Sequence, residues 1–242
     1  MSTYSTKRLI LFLFLFLQYF CSNAQLSEVK VYHIGAMRNV MWKGELFGTI
    51  DLDSLKGIAG LYGVGPIEGL AGELLIADGE CFQSRVVSDS EMKVTASFDA
   101  KAPFFVYCVV NEWKIFDIPD EVRDMHAIEL FLDSITIKAS RPFVFRIEGI
   151  AESGSIHVVN LAPGSKVSNP EEAHQGQINY PLNNEAVEIT GFFSTEHKAV
   201  FTHHDTFMHM HLITPNRKKM GHIDALRLAP GSWKLWLPMS IF

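Results

Sequence analysis

The chain has 242 residues, 48% of them hydrophobic, and a formal net charge of −6. Such a chain can bury a full core in one large domain or two small ones, which excludes a largely disordered protein. Its acidic balance repels phosphate backbones and argues against nucleic acid as a partner.

The N-terminus reads as a targeting segment. Lys7 and Arg8 precede the apolar run Leu9 to Phe20, and "CSNAQ" offers a small-residue cleavage site after Ala24. The run is too short to cross a bilayer as a helix. Residues 1–24 are therefore expected to be a cleaved signal peptide. The mature chain is then exported, periplasmic or secreted, with no membrane contact after cleavage. A lipid anchor on Cys21 and a retained N-terminal anchor are the alternatives; Tyr19 and Phe20 stand where a lipidation site needs small residues.

After the signal, most runs are short, β-branched or aromatic, and bounded by Gly, Pro, Asn or Asp. "EVKVYHIG", "GELLIADGECFQSRVV", "PFFVYCVV", "ITIKA", "PFVFRIEG", "SIHVVNLA", "AVEITGFFS" and "FMHMHLIT" all read as strands. Cys81 and Cys108 lie in two of these runs. Export permits a disulfide between them, but buried free thiols are the plainer reading. Helical patterns are fewer. "DLDSLKGIAG" starts with an Asp cap. "IPDEVRDMHAIELFLDSI" has Pro119 near its start and Val122, Met125, Ile128 and Leu132 at helical spacing.

The fold class is therefore α+β, dominated by strands. A mixed α/β portion over residues 25–150 precedes a β-rich portion over 151–242, where nearly continuous strand suggests a barrel or a strongly bent sheet. The polar connection from Asn160 to Pro181 is long enough to be functional or mobile.

Chemistry concentrates in "FMHMHLITPNRKKMGH" (Phe207 to His222). On a strand, His209 and His211 point to one face and Met208 and Met210 to the other. Pro215, Asn216 and Gly221 give the following segment turn character, so a hairpin brings His222 back alongside. Three histidines on adjacent strands suit zinc or another divalent first-row metal with open positions. Spacing alone leaves satisfied core or surface histidines as an equal alternative. A second stretch, "GLYGVGPIEGLAGELLIADG" (Gly60 to Gly79), is Gly-rich and leads into a strand carrying Glu73. No helix pattern follows these glycines, which argues against a nucleotide fingerprint. Gly63 and Gly65 permit tight turns or close backbone approach. There is no Gly-x-Ser-x-Gly step, and neither cysteine has a catalytic setting.

Together the two stretches resemble the α-acetolactate decarboxylases. That family carries Gly-x-Gly leading to Leu-x-Gly-Glu and an Asp-Gly step, here "GVGPIEGLAGELLIADG". It also carries a His-x-His strand, a turn and Gly-His, here "MHMHLITPNRKKMGH". "FVFRIEG" and "ITGFFSTEH" fall between them in matching order, and the resemblance spans roughly Val29 to Leu228. It implies a metal, Zn2+ or another divalent first-row ion, held by His209, His211 and His222. It further implies Glu73 as a catalytic carboxylate, a mixed-sheet N-terminal part, a small C-terminal β-barrel and a homodimer. The reaction implied is decarboxylation of 2-hydroxy-2-methyl-3-oxobutanoate to acetoin and CO2. A same-fold metal lyase for another hydroxy-keto acid and a non-catalytic exported metal-binding homologue are the alternatives.

Two departures bear on that implication. The family's catalytic Arg, in a Thr-Arg-Thr step past the Ile-Asp-Gly, matches "VVNLAPG", which places Ala162 in its position. The family's C-terminal catalytic Glu has no counterpart, because no Asp or Glu follows Asp224. Loss of the Arg removes a planar cation suited to a carboxylate. Lys166, His174 and His157 are the candidate substitutes, and Arg146 reads as a structural strand residue.

Overall fold

The computed structural model describes residues 29–242. The expected signal peptide, and Cys21 with it, lies outside the described residues. Among the described residues no helix is long and apolar enough to cross a membrane.

The first sheet contains β1 (Tyr32–Ile34), β3 (Leu61–Pro66), β4 (Glu73–Ala77), β5 (Glu80–Ser88), β6 (Glu91–Ala96) and β8 (Phe105–Val109), in the order β1-β8-β3-β4-β5-β6. A two-strand pair, β2 (Ile50–Asp51) and β7 (Lys101–Ala102), lies beside it. β3 is buried along its whole length. A Cβ on Gly63 would sit 2.6 Å from the Phe105 ring, and one on Gly65 2.5 Å from the Phe104 carbonyl. These glycines therefore serve close approach of β8. Asp78 and Gly79, both at positive φ, close the β4–β5 hairpin.

The second sheet contains β9 (Trp113–Asp117), β10 (Phe143–Val158), β11 (Ile178–Phe193), β12 (Met208–Ile213), β13 (Met220–Leu228) and β14 (Lys234–Pro238), in the order β11-β12-β13-β10-β14-β9. β10 also pairs with β11 from Phe143↔Phe193 to Val158↔Ile178. That extra pairing joins the two ends of the row β11-β12-β13-β10 into a ring, a small barrel filled by residues such as Phe145, Ile156, Met210 and Leu212. The α+β class and the barrel-like C-terminal part are as expected. "PFVFRIEG" and "SIHVVNLA" belong to one strand, β10, so residue 150 lies within a continuous element and not at a break in the chain path. A further core shared by Tyr62, Val64, Leu75 and Val106 of the first sheet and Val144, Phe192 and Ile213 of the second joins the two sheets.

The helices depart from the sequence pattern. α1 (Met37–Lys43), which no pattern announced, ends at Gly44 in the left-handed region. "DLDSLKGIAG" makes a single 3-10 turn, Leu52–Leu55, and Gly57 and Gly60 at positive φ stop it there. α2 (Met125–Ile135) begins six residues after Pro119, because the Asp124 carboxylate accepts from the Ala127 N–H at 2.9 Å and sets the cap. "ITIKA" is not a strand: Ile135 ends α2, and Thr136 turns the chain with its hydroxyl donating to the Leu132 carbonyl at 2.6 Å. The polar connection carries a short α3 (Pro170–Ala173) with Asn169 as its cap. Cys81 and Cys108 are buried and unpaired, and burial pushes the Cys81 thiol up to about 12.

Candidate functional site

β12 is buried throughout, and its period of two decides what each residue meets. Met208, Met210 and Leu212 enter the barrel core, while His209 and His211 face the other way. Strand register then assembles the cluster. His211 lies directly across from His222 on β13, and His222 lies directly across from His157 on β10. Gly221 allows that approach, since a Cβ there would sit 2.4 Å from the His157 carbonyl. Ring centroids are 5.0 Å apart for His209 and His211, 5.1 Å for His209 and His222, and 5.3 Å for His211 and His222. One ring nitrogen from each of the three lies within 4.8 Å of the others.

Burial holds these three rings in their neutral form. It lowers His209 and His222 well below the ordinary imidazole range and His211 to about 3, and neighbouring imidazoles add to the effect. His209 Nδ1 and both nitrogens of His211 are buried with no hydrogen-bond partner. Buried polar atoms are rarely left so. Three converging neutral imidazoles, with unengaged nitrogens on His209 and His211, fit a divalent transition metal, which takes neutral nitrogen as a ligand.

Glu73 opens β4 and reaches the same place from the first sheet. Gly72, at φ +144°, delivers it; any Cβ at that position would collide with the Ser84 carbonyl. The Glu73 carboxyl is 3% exposed, and Oε1 accepts from the Val159 N–H at 3.3 Å. Oε2 stands 3.7 Å from His211 Nε2, and Oε1 3.8 Å from His157 Nε2. Burial pushes Glu73 well above the ordinary carboxylate range; the Val159 bond opposes this and Asp224 adds to it. The group is placed to carry a proton beside the imidazoles.

All four residues expected at the site, Glu73, His209, His211 and His222, therefore converge. The substitutes divide. Ala162 and Lys166 sit exposed in the turn after β10. The residue that the strand directs at the cluster is His157, five positions earlier and 6% exposed, with its ring 4.8 Å from that of His222. His174, at the end of α3, lies 6.0 Å from His157, and its Nδ1 donates to the Pro170 carbonyl. Arg146 stands elsewhere. Its guanidinium lies 5.5–5.6 Å from the rings of Tyr62, Trp113 and Trp236 and is paired with Glu148.

Further participants were not among the expected site residues. His203 comes from the loop before β12 and lies over His222 at 4.7 Å. Asp224 accepts from His157 Nδ1 at 2.6 Å, and Asn179 donates to the other Asp224 oxygen at 2.8 Å. The alternation His222-Ile223-Asp224 was a usable signal for Asp224, since period two puts it on the His222 face. α1 contributes Met37 and Met41 to the lining of a small cavity of about 30 Å³ that also touches Glu73, His157, His174, His203, His209 and His222. β12 and β13 bond only from His211↔His222 to Ile213↔Met220. Beyond His222 lies a larger cavity of about 400 Å³, bordered by α2, Asp205, Asp224, Met210, His203 and His222. Neither cavity has a lysine or arginine among its lining residues.

Solved structures share this fold. Over 86% of the chain it is similar to acetolactate decarboxylase from Bacillus subtilis subspecies spizizenii, with a TM-score of 0.71, 21% identity and 85% of that chain covered. α-Acetolactate decarboxylase from Bacillus subtilis strain 168 gives a TM-score of 0.68 at 20% identity, with 86% of each chain covered. A Staphylococcus aureus protein of unknown function similar to α-acetolactate decarboxylase gives 0.71 at 17% identity, covering 86% of this chain and 84% of that one. No curated protein matches the chain. The α-acetolactate decarboxylase family model matches residues 31–236, nearly the whole of the described chain, and the protein belongs to that family.

Proposed function

We propose that the protein is a metal-dependent carboxy-lyase that converts 2-acetolactate to acetoin and CO2. The observation that carries this reading is the convergence of three buried imidazoles, two of them with unpartnered nitrogens, with one buried carboxyl group. His209, His211 and His222 hold the cation, Zn2+ in this reading. When bound, it supplies Lewis acidity toward the ketone and hydroxyl oxygens of the substrate.

The remaining work falls to the chain. The substrate's bond to its carboxylate breaks, CO2 leaves, and the electron pair stays behind as an enediolate. Glu73, whose carboxyl burial pushes toward its protonated form, delivers a proton to the carbon that lost CO2 and recovers one from water. Met37, Leu70 and Phe104 wall the small cavity with apolar surface and limit water around that proton. The test is acetoin formation from acetolactate by the metal-loaded protein. A rate no greater than spontaneous decarboxylation sinks the reading.

A second reading, the same chemistry on another hydroxy-keto acid, is favoured by one observation. No lysine or arginine lines either cavity, so no guanidinium or ammonium awaits the substrate's carboxylate. A panel of hydroxy-keto acids separates the two. We further propose an exported homodimer, the first from the basic and apolar start of the chain and the second from the family resemblance. The mass of the mature chain and its solution molecular weight test both.

A further inference from the structure

His157 is held more firmly than a spare histidine needs to be. It stands near the end of β10 with Asn179 of β11 directly across on one side and His222 of β13 on the other. Its Nδ1 meets Asp224 Oδ1 at 2.6 Å, and Asp224 Oδ2 is in turn held by Asn179 at 2.8 Å. A carboxylate only accepts, so Nδ1 is the donor, and the tautomer with its proton there leaves Nε2 as the acceptor. Nε2 points inward, 3.8 Å from Glu73 Oε1, and makes no hydrogen bond there. The mutually close group of candidate ligand atoms comprises His209, His211 and His222 and not His157.

The geometry points to His157 as a substrate-positioning residue whose Nε2 accepts a hydrogen bond from the hydroxyl of a 2-hydroxy-3-oxo acid, with Asp224 and Asn179 fixing the ring. This rests on reading the site as a hydroxy-keto acid lyase. It adds a basis for choosing hydroxylated substrates over their deoxy counterparts. A fixed acceptor left empty by a deoxy ligand is a loss in binding, and a hydroxyl that fills it is a gain. It also gives this chain a contact to the neutral part of the substrate, in a site whose cavities offer no cationic side chain to the acid.

The experiment is a cycle of two inert ligands and the zinc-loaded full chain. Binding of 2-hydroxyisobutyrate and of isobutyrate is measured by calorimetry for the wild type and for His157→Phe, His157→Gln and Asp224→Ala. The preference for the hydroxylated acid should fall about three- to tenfold in His157→Phe, the worth of one hydrogen bond. Zinc stoichiometry and isobutyrate affinity should be unchanged. His157→Gln, whose amide oxygen reaches the Nε2 position, should restore part of the preference, and Asp224→Ala should lose part of it. Should His157→Phe not fold, the other two variants decide. An unchanged preference in the variants overturns the inference, and so does loss of zinc from folded His157→Phe, which would make the residue a ligand. If the wild type leaves acetolactate intact yet the preference depends on His157, the decarboxylase reading falls and this inference stands. If acetoin forms and the preference ignores His157, the reverse holds.

Discussion

Two clusters of polar side chains sit on the same ring of strands, and they are built on opposite principles. Arg146, on β10, has an aromatic ring on three sides and Glu148 as its ion partner. Its charge is answered locally, by cation–π contact and a charge-assisted hydrogen bond. His209 and His211, on β12, are more deeply buried, and three of their nitrogens are answered by nothing. A polar group that has its partners stabilises the fold, whereas one denied them costs stability and persists where something else binds it. That contrast supports the proposed reading of the histidines as a metal site and makes Arg146 a joint between the two sheets.

The largest expected effect tests the contrast directly. His211→Ala should abolish stoichiometric zinc binding while leaving the melting temperature of the metal-free protein level or higher, because it deletes two unpartnered buried nitrogens. Arg146→Met should do the opposite. It should keep the zinc content and cost about 2 kcal/mol of stability, since the aromatic cage and Glu148 lose their cation. Metal analysis and thermal unfolding of the two variants side by side check both halves. If His211→Ala lowered the metal-free melting temperature as far as Arg146→Met does, the contrast would be broken.

A pH series sharpens it. Burial lowers the folded-state values of His209, His211 and His222, so the unfolded chain binds protons that the fold refuses. Stability is therefore complete above about pH 6.5 and is lost as pH falls below it. One unit below, at about pH 5.5, each ring costs about 1.4 kcal/mol, or about 4 kcal/mol for the three. Glu73 has the opposite sign: its raised value adds stability below about 4.5 that is lost as pH rises through the folded value. Metal-free protein should thus unfold at lower urea concentration at pH 5.5 than at pH 7.5. The difference should shrink in a triple alanine variant of the histidines and persist in Arg146→Met. Equal midpoints at both pH values in a Glu73→Gln background, where the opposing carboxyl is gone, would mean that the rings are not held neutral.

Much of this was legible in the sequence, for reasons that differ by element. The alternation in "MHMHL" and the turn residues after it fix which side chains face the cluster, and Gly72-Glu73 marks a strand start. Period and turn chemistry are local, so such readings survive folding. What the sequence hid was set by partners far along the chain. "ITIKA" has strand composition, yet it follows a helix whose end Thr136 caps. α1 has no pattern of its own and forms where its Met37 and Val40 find Leu70, Phe104 and Val159 to pack against. His157 was ranked beside Lys166 and His174, because nothing local says that β10 pairs with β13 at His222. Pairing across 65 residues of chain is tertiary information.

The smallest expected effect concerns Ala162. The sequence comparison put it where the family has its Arg, which invites restoring that residue. The structure puts Ala162 in an exposed turn outside both clusters. Arginine placed there would stay hydrated, gaining neither an aromatic cage like that of Arg146 nor a seat beside the imidazoles. Ala162→Arg should therefore leave zinc content unchanged and acetolactate turnover within about twofold, with stability moved by no more than about 0.5 kcal/mol. Steady-state rates and urea unfolding measure this. A marked fall in KM would show that the turn closes over the cluster during turnover. The cationic partner missing from both cavities would then have a place from which to arrive, and the division between answered and unanswered groups would hold only for the resting fold.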